Sequence, residues 1–374
     1  MTTLLNDQDI IERIFEHIDN KTTDLGDTLW REPVAHYSCP QHYDDEMALL
    51  RRQPVVFCPS AALPEIGSYT ARTSIGTPLV AVRGADGQVR AFINSCRHRG
   101  MQVVEGSGCS KALICPYHAW TYGLDGQLKN IPGQQGFPGL DTEQHSLVEI
   151  SALEHGGLVY VNQKASVTAA MLEHTPSFFS AEQRLFDQVD FSDEANWKLI
   201  AETSMEGYHI KSLHKQSFYP YGLDNINVVE NFGLNSRITF PFRRIEKLRE
   251  VEPAQRKIDG LVTYVYQLFP NTHVAVLSKH TNVVILEPLS PTRTQYVIYR
   301  LTNKGDNGLN DTLLEARRDA SFVAESGQDE DRAAACAIQN NVTTAANSHF
   351  TFGHYEKAIV HFHQGLQKNL NADC

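Results

Sequence analysis

The sequence has no uninterrupted apolar run of the roughly 18 to 20 residues that a transmembrane helix needs. It also has no excess of basic residues, because 33 Lys and Arg stand against 44 Asp and Glu, which gives a formal net charge of −11. Nucleic acids and anionic membranes are bound through basic patches, so this charge argues against both as partners. The first 20 residues do not resemble a signal peptide, because no basic segment precedes an apolar one.

The cysteines do not form the pattern of a disulfide-stabilised secreted protein. There are seven, an odd number, and they are scattered along the chain. We therefore expect a reducing compartment and a cytoplasmic location. A chain of 374 residues with 41% apolar and 21% charged residues is typical of a globular protein with two domains, and we find no internal repeat or low-complexity tract.

Two Cys–His pairs are concentrated in one short region. Cys96 and His98 have the spacing Cys-x-His, and Cys115 and His118 have the spacing Cys-x-x-His, with 16 residues between the pairs. Zinc modules usually pair cysteine with cysteine and histidine with histidine. One cysteine and one histidine from each of two loops is typical of a Rieske [2Fe–2S] cluster, in which the cysteines hold one iron and the histidines the other. A structural zinc site remains the alternative.

The region around these pairs has the pattern of a small β domain. Asp86-Gly87 and Asp125-Gly126 are strong hairpin signals. The strand candidates are residues 54–58, 79–83, 89–94 and 158–161. We predict an antiparallel β domain at residues 46–163 that carries the two Cys–His loops at its tip. The composition after residue 165 favours helix up to about residue 190.

The second half of the chain predicts an α+β domain at residues 164–374. Its strand candidates are residues 260–268, 273–277, 282–287 and 294–301, and its helix candidates are about 311–326, 330–347 and 355–370. An amphipathic helix with Asn6 or Asp7 as its N-cap lies in an N-terminal segment, residues 1–45, which we expect to pack on this domain.

A second metal site is suggested by two histidines in the second half. Non-haem iron that activates oxygen is commonly held by two histidines and one carboxylate. His209 and His214 are five residues apart, which is about 140° around a regular helix, so they would not share a helical face. Unless a bulge or a helix end lies between them, spacing alone makes this pair a weak candidate.

The motifs resemble those of one known family. Asn-Ser-Cys-Arg-His-Arg-Gly at residues 94–100, Cys-Pro-Tyr-His-Ala-Trp at 115–120 and Tyr-Gly-Leu-Asp-Gly at 122–126 are similar to the Rieske segment of the Rieske non-haem iron aromatic ring-hydroxylating oxygenases. Asn-Trp-Lys at residues 196–198, followed by Glu-x-Tyr-His-x4-His at 206–214, resembles their mononuclear iron motif. The resemblance to the α subunit extends over nearly the whole chain.

The resemblance implies a helix-grip-like catalytic domain and assigns roles to individual residues. His209 and His214 correspond to iron ligands, and Asp331 is the best candidate for the third ligand, with Asp329 as its rival. Glu206 stands where much of the family has an aspartate that links a cluster histidine of one subunit to an iron ligand of the next. The family branches that contain choline, glycine betaine and carnitine monooxygenases have a glutamate at this place, and in this respect the chain resembles them.

The function implied by the resemblance is that of a terminal oxygenase with a Rieske [2Fe–2S] cluster and a mononuclear Fe(II). A reductase, with or without a ferredoxin, would supply electrons, and a homotrimer would use O2 to hydroxylate, N-dealkylate or dihydroxylate a small organic substrate. An electron-transfer protein without oxygenase chemistry and a zinc-binding structural protein are the alternatives. Candidate pocket residues, by location only, are Phe218, Tyr219, Tyr264, Tyr266, Phe269 and Leu286.

Overall fold

The computed structural model describes residues 4–180, 182–303, 309–344 and 346–371. The chain divides into two compact units, one formed by residues 50–182 and the other by residues 1–49 together with 183–374. The helices are α1 (Asp7–Asn20), α2 (Pro40–Arg52), α3 (Trp197–Thr203), α4 (Ile210–Leu213), α5 (Leu309–Val323), α6 (Asp329–Asn341) and α7 (Lys357–Leu370).

The strands are distributed over both units. In chain order they are β1 (Trp30–Pro33), β2 (Val55–Pro59), β3 (Ser68–Ser74), β4 (Thr77–Arg83), β5 (Val89–Ile93), β6 (Ser107–Cys109), β7 (Leu113–Ile114), β8 (Thr121–Tyr122), β9 (Leu128–Asn130), β10 (Glu149–His155), β11 (Leu158–Asn162), β12 (Leu185–Asp193), β13 (Val228–Phe232), β14 (Asn235–Pro241), β15 (Val262–Leu268), β16 (Thr272–Val276), β17 (His280–Ser290), β18 (Arg293–Thr302) and β19 (His349–Phe352).

The unit of residues 50–182 is an antiparallel β structure, as the sequence predicts. Seven strands form one sheet in the order β2-β11-β10-β5-β4-β3-β6, and β7, β8 and β9 form a second, three-stranded sheet. Both predicted hairpins are confirmed, because β4 pairs with β5 across Asp86-Gly87 and β8 pairs with β9 across Asp125-Gly126. Gly87 and Gly126 have φ angles of +80° and +77°, which glycine adopts without strain.

The core of this unit lies directly beneath the two Cys–His loops. Phe92, Trp120 and Tyr122 belong to its hydrophobic cluster, and so do the two predicted ligand cysteines, Cys96 and Cys115. The cysteine thiols are therefore held in an apolar setting by residues that also form the core.

The other unit is built on a seven-stranded antiparallel sheet in the order β12-β18-β17-β16-β15-β14-β13. Helix α1 packs on one face, where Ile10, Ile11 and Ile14 cluster with Val228 and Val262. Its N-cap is Asn6, whose side chain accepts hydrogen bonds from two backbone N–H groups, and this agrees with the sequence.

The opposite face of this sheet is turned toward α3 and α6, and we call it the α3/α6 face. The Oγ of Ser204, just after α3, lies 2.7 Å from Nδ1 of His273 on β16. The guanidinium of Arg332, on α6, lies 4.2 Å from the ring centre of Phe191 and 5.9 Å from that of Tyr296. Because side chains alternate along a strand, the register assigns every residue of the central strands to one face or the other.

Residues 1–49 are joined to the sheet domain by backbone pairing as well as by α1. Strand β1 pairs with β19, so that Trp30 lies opposite Phe352. Glu32, on β1, accepts a hydrogen bond from the indole N–H of Trp30 at 2.9 Å and lies 3.5 Å from His363 on α7.

The predicted helical character of residues 165–190 is wrong. One short 3₁₀ turn forms at Ala169–Leu172, and β12 begins at Leu185. Strand β12 pairs along its length with β18, so a long-range partner outweighs the local composition. Two further strands, β13 and β14, extend the sheet beyond the four that the sequence indicated.

Helices α5 and α6 are one continuous helical segment rather than two separate helices. A single π-helical turn, Ala324–Gln328, connects them. Within the described ranges, no helix is both long enough and apolar enough to cross a membrane.

Candidate metal centres

The first Cys–His loop is closed by two backbone hydrogen bonds. The N–H of Cys96 donates to the carbonyl oxygen of Met101, and the N–H of Gly100 donates to the carbonyl oxygen of Cys96, both at 2.8 Å. Gly100 has a φ angle of +79°, which lets the chain return within five residues.

The second Cys–His loop repeats this arrangement. The N–H of Cys115 donates to the carbonyl oxygen of Trp120, and the N–H of Ala119 donates to that of Cys115, both at 2.9 Å. Ala119 has a φ angle of +57°, although it carries a Cβ. The chain thus forms the same turn twice and presents one cysteine and one histidine from each.

The four predicted cluster ligands are brought together with the imidazoles outermost. The Nδ1 atoms of His98 and His118 are 3.1 Å apart, whereas Cys96 and Cys115 are only 4% and 2% exposed. The ring of Trp120 stacks on His98 at 4.9 Å between ring centres, and the ring of Tyr117 stacks on His118 at 3.8 Å. These aromatic side chains fix the two imidazole planes.

The thiols are close enough to act on each other. Burial raises the pKa of Cys115, and the neighbouring Cys96 thiol adds to this rise, while the backbone N–H groups of Tyr117 and His118 act in the opposite direction. Backbone N–H groups directed at sulfur are typical of sites that hold a thiolate.

Tyr122 contacts a ligand sulfur, which the sequence interpretation missed. Its hydroxyl oxygen accepts a hydrogen bond from the N–H of Arg97 at 2.9 Å and lies 3.2 Å from Sγ of Cys96. Either atom could donate when Cys96 is a thiol, but a thiolate can only accept, so the Tyr122 hydroxyl would donate to Cys96 in a cluster-bound state. The position of Tyr122 within a β hairpin gave no signal of this contact.

The two histidines of the second site flank a very short helix. Helix α3 ends at Thr203, and α4 is a single turn, Ile210–Leu213, with His209 before it and His214 after it. The objection that a regular helix would point them apart therefore does not apply, because the helix begins after one and ends before the other.

Three potential ligand atoms converge at this site. Nε2 of His209 and Nε2 of His214 are 3.1 Å apart, and Oδ1 of Asp331 lies 3.4 Å and 3.0 Å from them respectively. Asp331 is in the first turn of α6, directly after the π-helical turn. Its rival Asp329 does not join them; its exposed carboxylate pairs with Arg332 at 2.9 Å.

These distances fit a metal ion. Ligands about 2.1 Å from a metal and at right angles to each other lie about 3 Å apart. Oδ1 of Asp331 is buried, and within the described part of the chain it has no partner that meets hydrogen-bond geometry despite the two close imidazole nitrogens. Two histidines and one carboxylate on one side of a metal are the donor set of non-haem iron enzymes.

A second carboxylate holds the far nitrogen of each histidine. Oε1 of Glu206 hydrogen-bonds to Nδ1 of His209, and Oε2 of Glu330 lies 2.8 Å from Nδ1 of His214. Ser217 donates its hydroxyl to the same Glu330 oxygen. Carboxylates in this position fix the imidazole tautomer and orientation. The sequence interpretation identified Glu206 but gave Glu330 no role.

Glu206 reaches His209 from the turn between α3 and α4. Its Oε2 accepts the backbone N–H groups of Tyr208 and His209, the latter at 3.2 Å. Glu206 therefore acts as a side-chain cap for the turn that carries the histidine.

The charges of this site support each other. Burial alone would lower the pKa of His209, but the nearby carboxylates of Asp331 and Glu206 outweigh burial and raise that pKa to about 10. Burial would raise the pKa of Asp331, whereas the two histidines lower it. A metal ion would take the place of the proton that these groups share.

The candidate pocket residues do not share one location. The ring of Phe218 lies 4.9 Å from that of His214, beside the site. Tyr264 and Tyr266 lie on the α1 face of the sheet, where both rings contact the guanidinium of Arg237. Placing them in the pocket was wrong, because the strand period alone does not say which face meets the metal.

The chain matches two protein-family models. Residues 53–149 match the Rieske [2Fe-2S] domain, and residues 183–372 match the ring hydroxylating alpha subunit (catalytic domain). The first match favours the Rieske cluster over zinc for the two Cys–His pairs. The second covers half of the chain and contains the site of His209, His214 and Asp331.

Relatives and solved structures extend the comparison. The carnitine monooxygenase oxygenase subunit of Acinetobacter baumannii is 31% identical over 199 residues, which are 50% of this chain and 53% of that protein. The chain thus spans about half the length of the first curated relatives. The chloroplastic choline monooxygenase of Spinacia oleracea is 25% identical over 90% of this chain and 78% of its own length. The quaternary ammonium Rieske monooxygenase CntA, solved with L-carnitine, has the same fold, with a TM-score of 0.74 and 21% identity over 98% of this chain and 99% of that one.

Proposed function

The chain belongs to the ring hydroxylating alpha-subunit family, and from this membership we propose that it is the terminal oxygenase of a multicomponent system. It would use O2 and externally supplied electrons to oxidise a small organic substrate. The observation that supports this most is the convergence of His209, His214 and Asp331 within 3.0–3.4 Å of one another. An electron carrier without oxygenase chemistry has no need of such a site.

The proposed ligands of the mononuclear iron are His209, His214 and Asp331. Ferrous iron held by these residues would supply the activation of O2. The chain's own contribution is to orient both imidazoles so that Nε2 of each is directed at the iron site. Glu206 and Glu330 achieve this because each accepts the Nδ1 proton of its histidine.

The proposed ligands of the [2Fe–2S] cluster are Cys96 and Cys115 for one iron and His98 and His118 for the other. The buried cysteines anchor the cluster side that faces the core, and the imidazoles present the other side to solvent. Electrons would therefore enter and leave on the histidine side. Two imidazoles in place of thiolates raise the reduction potential, which suits a cluster that receives electrons from a reductase.

The proposed partners follow from this chemistry. A reductase, alone or with a ferredoxin, would deliver electrons, and a homotrimer would let the cluster of one subunit serve the iron of its neighbour through Glu206. The hydrogen bond between Glu206 and His209 supports this role, because it links a half-buried carboxylate directly to an iron ligand. We retain a cytoplasmic location as part of the proposal.

The proposed reaction is hydroxylation or N-dealkylation of a small substrate, with dihydroxylation as the family's other outcome. The relatives named above act on carnitine and choline, and another is a glycine betaine monooxygenase oxygenase subunit. The presence of Glu206 at the bridging position, as in those branches, supports monooxygenation.

Metal analysis and a ligand variant test the proposal. The oxygenase should contain about three irons per chain, an electron carrier two and a zinc protein none. We expect His214→Ala to lose one iron and all turnover while keeping the visible spectrum of the cluster. Asp331→Ala should behave in the same way, and Asp329→Ala should keep its iron. Substrate oxidation by H214A with reductase and O2 would refute the assignment.

A further inference from the structure

Two neighbouring polar side chains, Asn282 and Arg300, lie on the α3/α6 face of the sheet. Asn282 on β17 lies directly opposite Arg300 on β18, and Arg300 lies opposite Asp187 on β12. Asn282 is 2% exposed, and its Oδ1 has no hydrogen-bond partner among the described residues. A buried amide oxygen without a partner is costly, so it calls for a hydrogen-bond donor from outside the described residues.

Arg300 is only partly neutralised. Its Nη1 donates to Oδ2 of Asp187 at 2.7 Å, while its Nε is buried and, in the part of the chain that the structure describes, has no acceptor. The edge formed by Nε and Nη2 is one of the two edges through which arginine binds a carboxylate with two parallel hydrogen bonds. Asp187 occupies the other edge, and its side chain is 38% exposed.

A third unsatisfied atom lies on the same face. His280, two residues before Asn282 on β17, is fully buried, and its Nδ1 lies 2.8 Å from Oδ2 of Asp319. Its Nε2 has no partner within the described ranges. Residues i and i+2 of a strand share a face about 6.5 to 7 Å apart, so the three groups form one patch.

This patch lies on the sheet face that is turned toward the mononuclear site. Ser204, two residues before Glu206, contacts His273 on this face, and Arg332, next to Asp331, contacts Tyr296 on it. Around Asn282 the face is not closed. Ala275 and Val284 belong to central strands and yet are half-buried, so a space that solvent can reach lies above them.

We propose that Arg300, through its unpaired Nε edge, binds a carboxylate group of the substrate and so sets the distance between that group and the carbon that is oxidised. This inference rests on the proposed function and narrows its substrate class to small molecules with a carboxylate remote from the reacting group. The sequence interpretation left this choice open, because aromatic acids and quaternary ammonium compounds fitted it equally well.

The contrary view is that Arg300 and Asp187 are a structural ion pair. The two views predict opposite effects of removing the Asp187 charge on the binding of an acid. If the pair is structural, removing either partner has the same damaging effect. If Arg300 binds a carboxylate, removing the charge of Asp187 leaves the positive charge of Arg300 unneutralised, and the acid should then bind more tightly.

Calorimetric binding to the iron-loaded full-length protein tests the proposal without requiring turnover. The probes are two pairs that differ only in a carboxylate against a CH₂OH group: glycine betaine with choline, and benzoate with benzyl alcohol. We expect wild-type protein to bind the acid of at least one pair about tenfold or more tightly than its alcohol. Arg300→Gln should abolish that preference and leave alcohol binding unchanged.

Further variants keep the result interpretable. Asp187→Asn should retain or increase the preference for the acid, and Arg293→Gln, at the exposed end of the same strand, should leave it unchanged. Arg300→Gln is used only if it folds, as judged by its melting temperature and iron content. If it does not fold, Asn282→Asp tests the proposal instead: the added negative charge beside Arg300 should repel the acid and reduce the preference for the acid over its alcohol.

Two outcomes would overturn the proposal: no preference for either acid in the wild-type protein, or an undiminished preference in R300Q. Neither depends on oxygenase activity. A protein that binds acids through Arg300 but never consumes O2 with a reductase would refute the proposed function and leave the carboxylate subsite standing. A protein that consumes O2 but shows no preference for acids that depends on Arg300 would refute the subsite and leave the proposed function standing.

Discussion

Gly100 and Ala119 hold equivalent positions in the two cluster loops. Each lies four residues after a ligand cysteine, donates its N–H to that cysteine's carbonyl oxygen, and has a positive φ angle, +79° and +57° respectively. A left-handed conformation costs a residue with a Cβ about 1 to 2 kcal/mol relative to a right-handed one, whereas glycine adopts it freely. The second loop therefore carries a strain that the first avoids.

Exchanging these two residue types should change stability in opposite directions. We expect Ala119→Gly to raise the free energy of unfolding by up to about 1 kcal/mol and Gly100→Ala to lower it by about 1 kcal/mol. The nearest heavy atom to a Cβ at Gly100 would be Oγ of Ser95 at 3.7 Å, so no steric clash confuses the comparison. Thermal unfolding, with cluster absorbance as a second probe, gives both values. Effects of the same sign would show that the loops are not equivalent.

The hydroxyl of Tyr122 should raise the reduction potential of the cluster. A hydrogen bond to a ligand sulfur stabilises the more negative, reduced state. We expect Tyr122→Phe to lower the potential by about 40 mV, which corresponds to about 1 kcal/mol for a one-electron couple. Redox titration of the visible spectrum measures this. Tyr117→Phe is the matched control, because the Tyr117 side chain is exposed. The cluster of this variant should keep the wild-type reduction potential.

Glu330 should determine how tightly iron is held at His214. Without the carboxylate, Nδ1 of His214 loses its acceptor and the imidazole loses its fixed orientation. We expect Glu330→Ala to weaken iron binding about 10- to 100-fold in competition with a ferrous chelator. Ser217→Ala should have a smaller effect, because the contact between His214 and Glu330 survives. Equal iron affinity in E330A and wild type would leave Glu330 without the role given to it here.

Gly327 should be intolerant of any side chain. A Cβ at this position would lie 1.9 Å from Cε2 and 2.2 Å from Cζ of Phe218, whose ring packs on His214. We expect Gly327→Ala to cost about 1 to 3 kcal/mol of stability and to reduce the iron content. The second substitution Phe218→Leu should restore part of both losses. Gly136→Ala, which meets no atom within 4 Å, should change neither.

His273 should make stability fall in mild acid. Burial lowers its pKa to about 4, from an unfolded value near 6.5. The neutral imidazole therefore contributes stability that is complete above about pH 6.5 and is lost as the pH falls from there through about 4. We expect the unfolding free energy of His273→Asn to fall less steeply than that of the wild type over this window, where one group accounts for at most about 1.4 kcal/mol per pH unit. His349→Asn, at an exposed position, should follow the wild-type profile.

The features that could be predicted from the sequence are those encoded within a few residues. The Cys–His spacing, the two Asp-Gly hairpins and the Asn6 cap each depend on neighbours in the chain, and the structure has each of them in place. The pair of His209 and His214 looked weak because a regular helix was assumed, and only the brevity of α4 brings the two together.

The features that could not be predicted depend on partners far away in the chain. Glu330 meets His214 across 116 residues, and Cys96 meets the Tyr122 hydroxyl from another hairpin. Strand β12 was interpreted as helix because its stability comes from pairing with β18 more than 100 residues later, and not from its own composition. The alternation of side chains along a strand likewise groups Tyr264 with its neighbours on one face. It does not show that α1, and not the iron site, covers that face.

The unit of residues 50–182 is an uninterrupted stretch of chain, whereas its companion is assembled from two stretches that this insertion separates. During synthesis the inserted part can finish folding while α1 and β1 still wait for β13 and β19 to leave the ribosome. A fragment of residues 50–182 is therefore a realistic target for recombinant production. A fragment that starts at residue 183 would leave β19 without its partner β1 and one sheet face without the cover of α1, and it should aggregate unless the first 49 residues are supplied as a separate peptide.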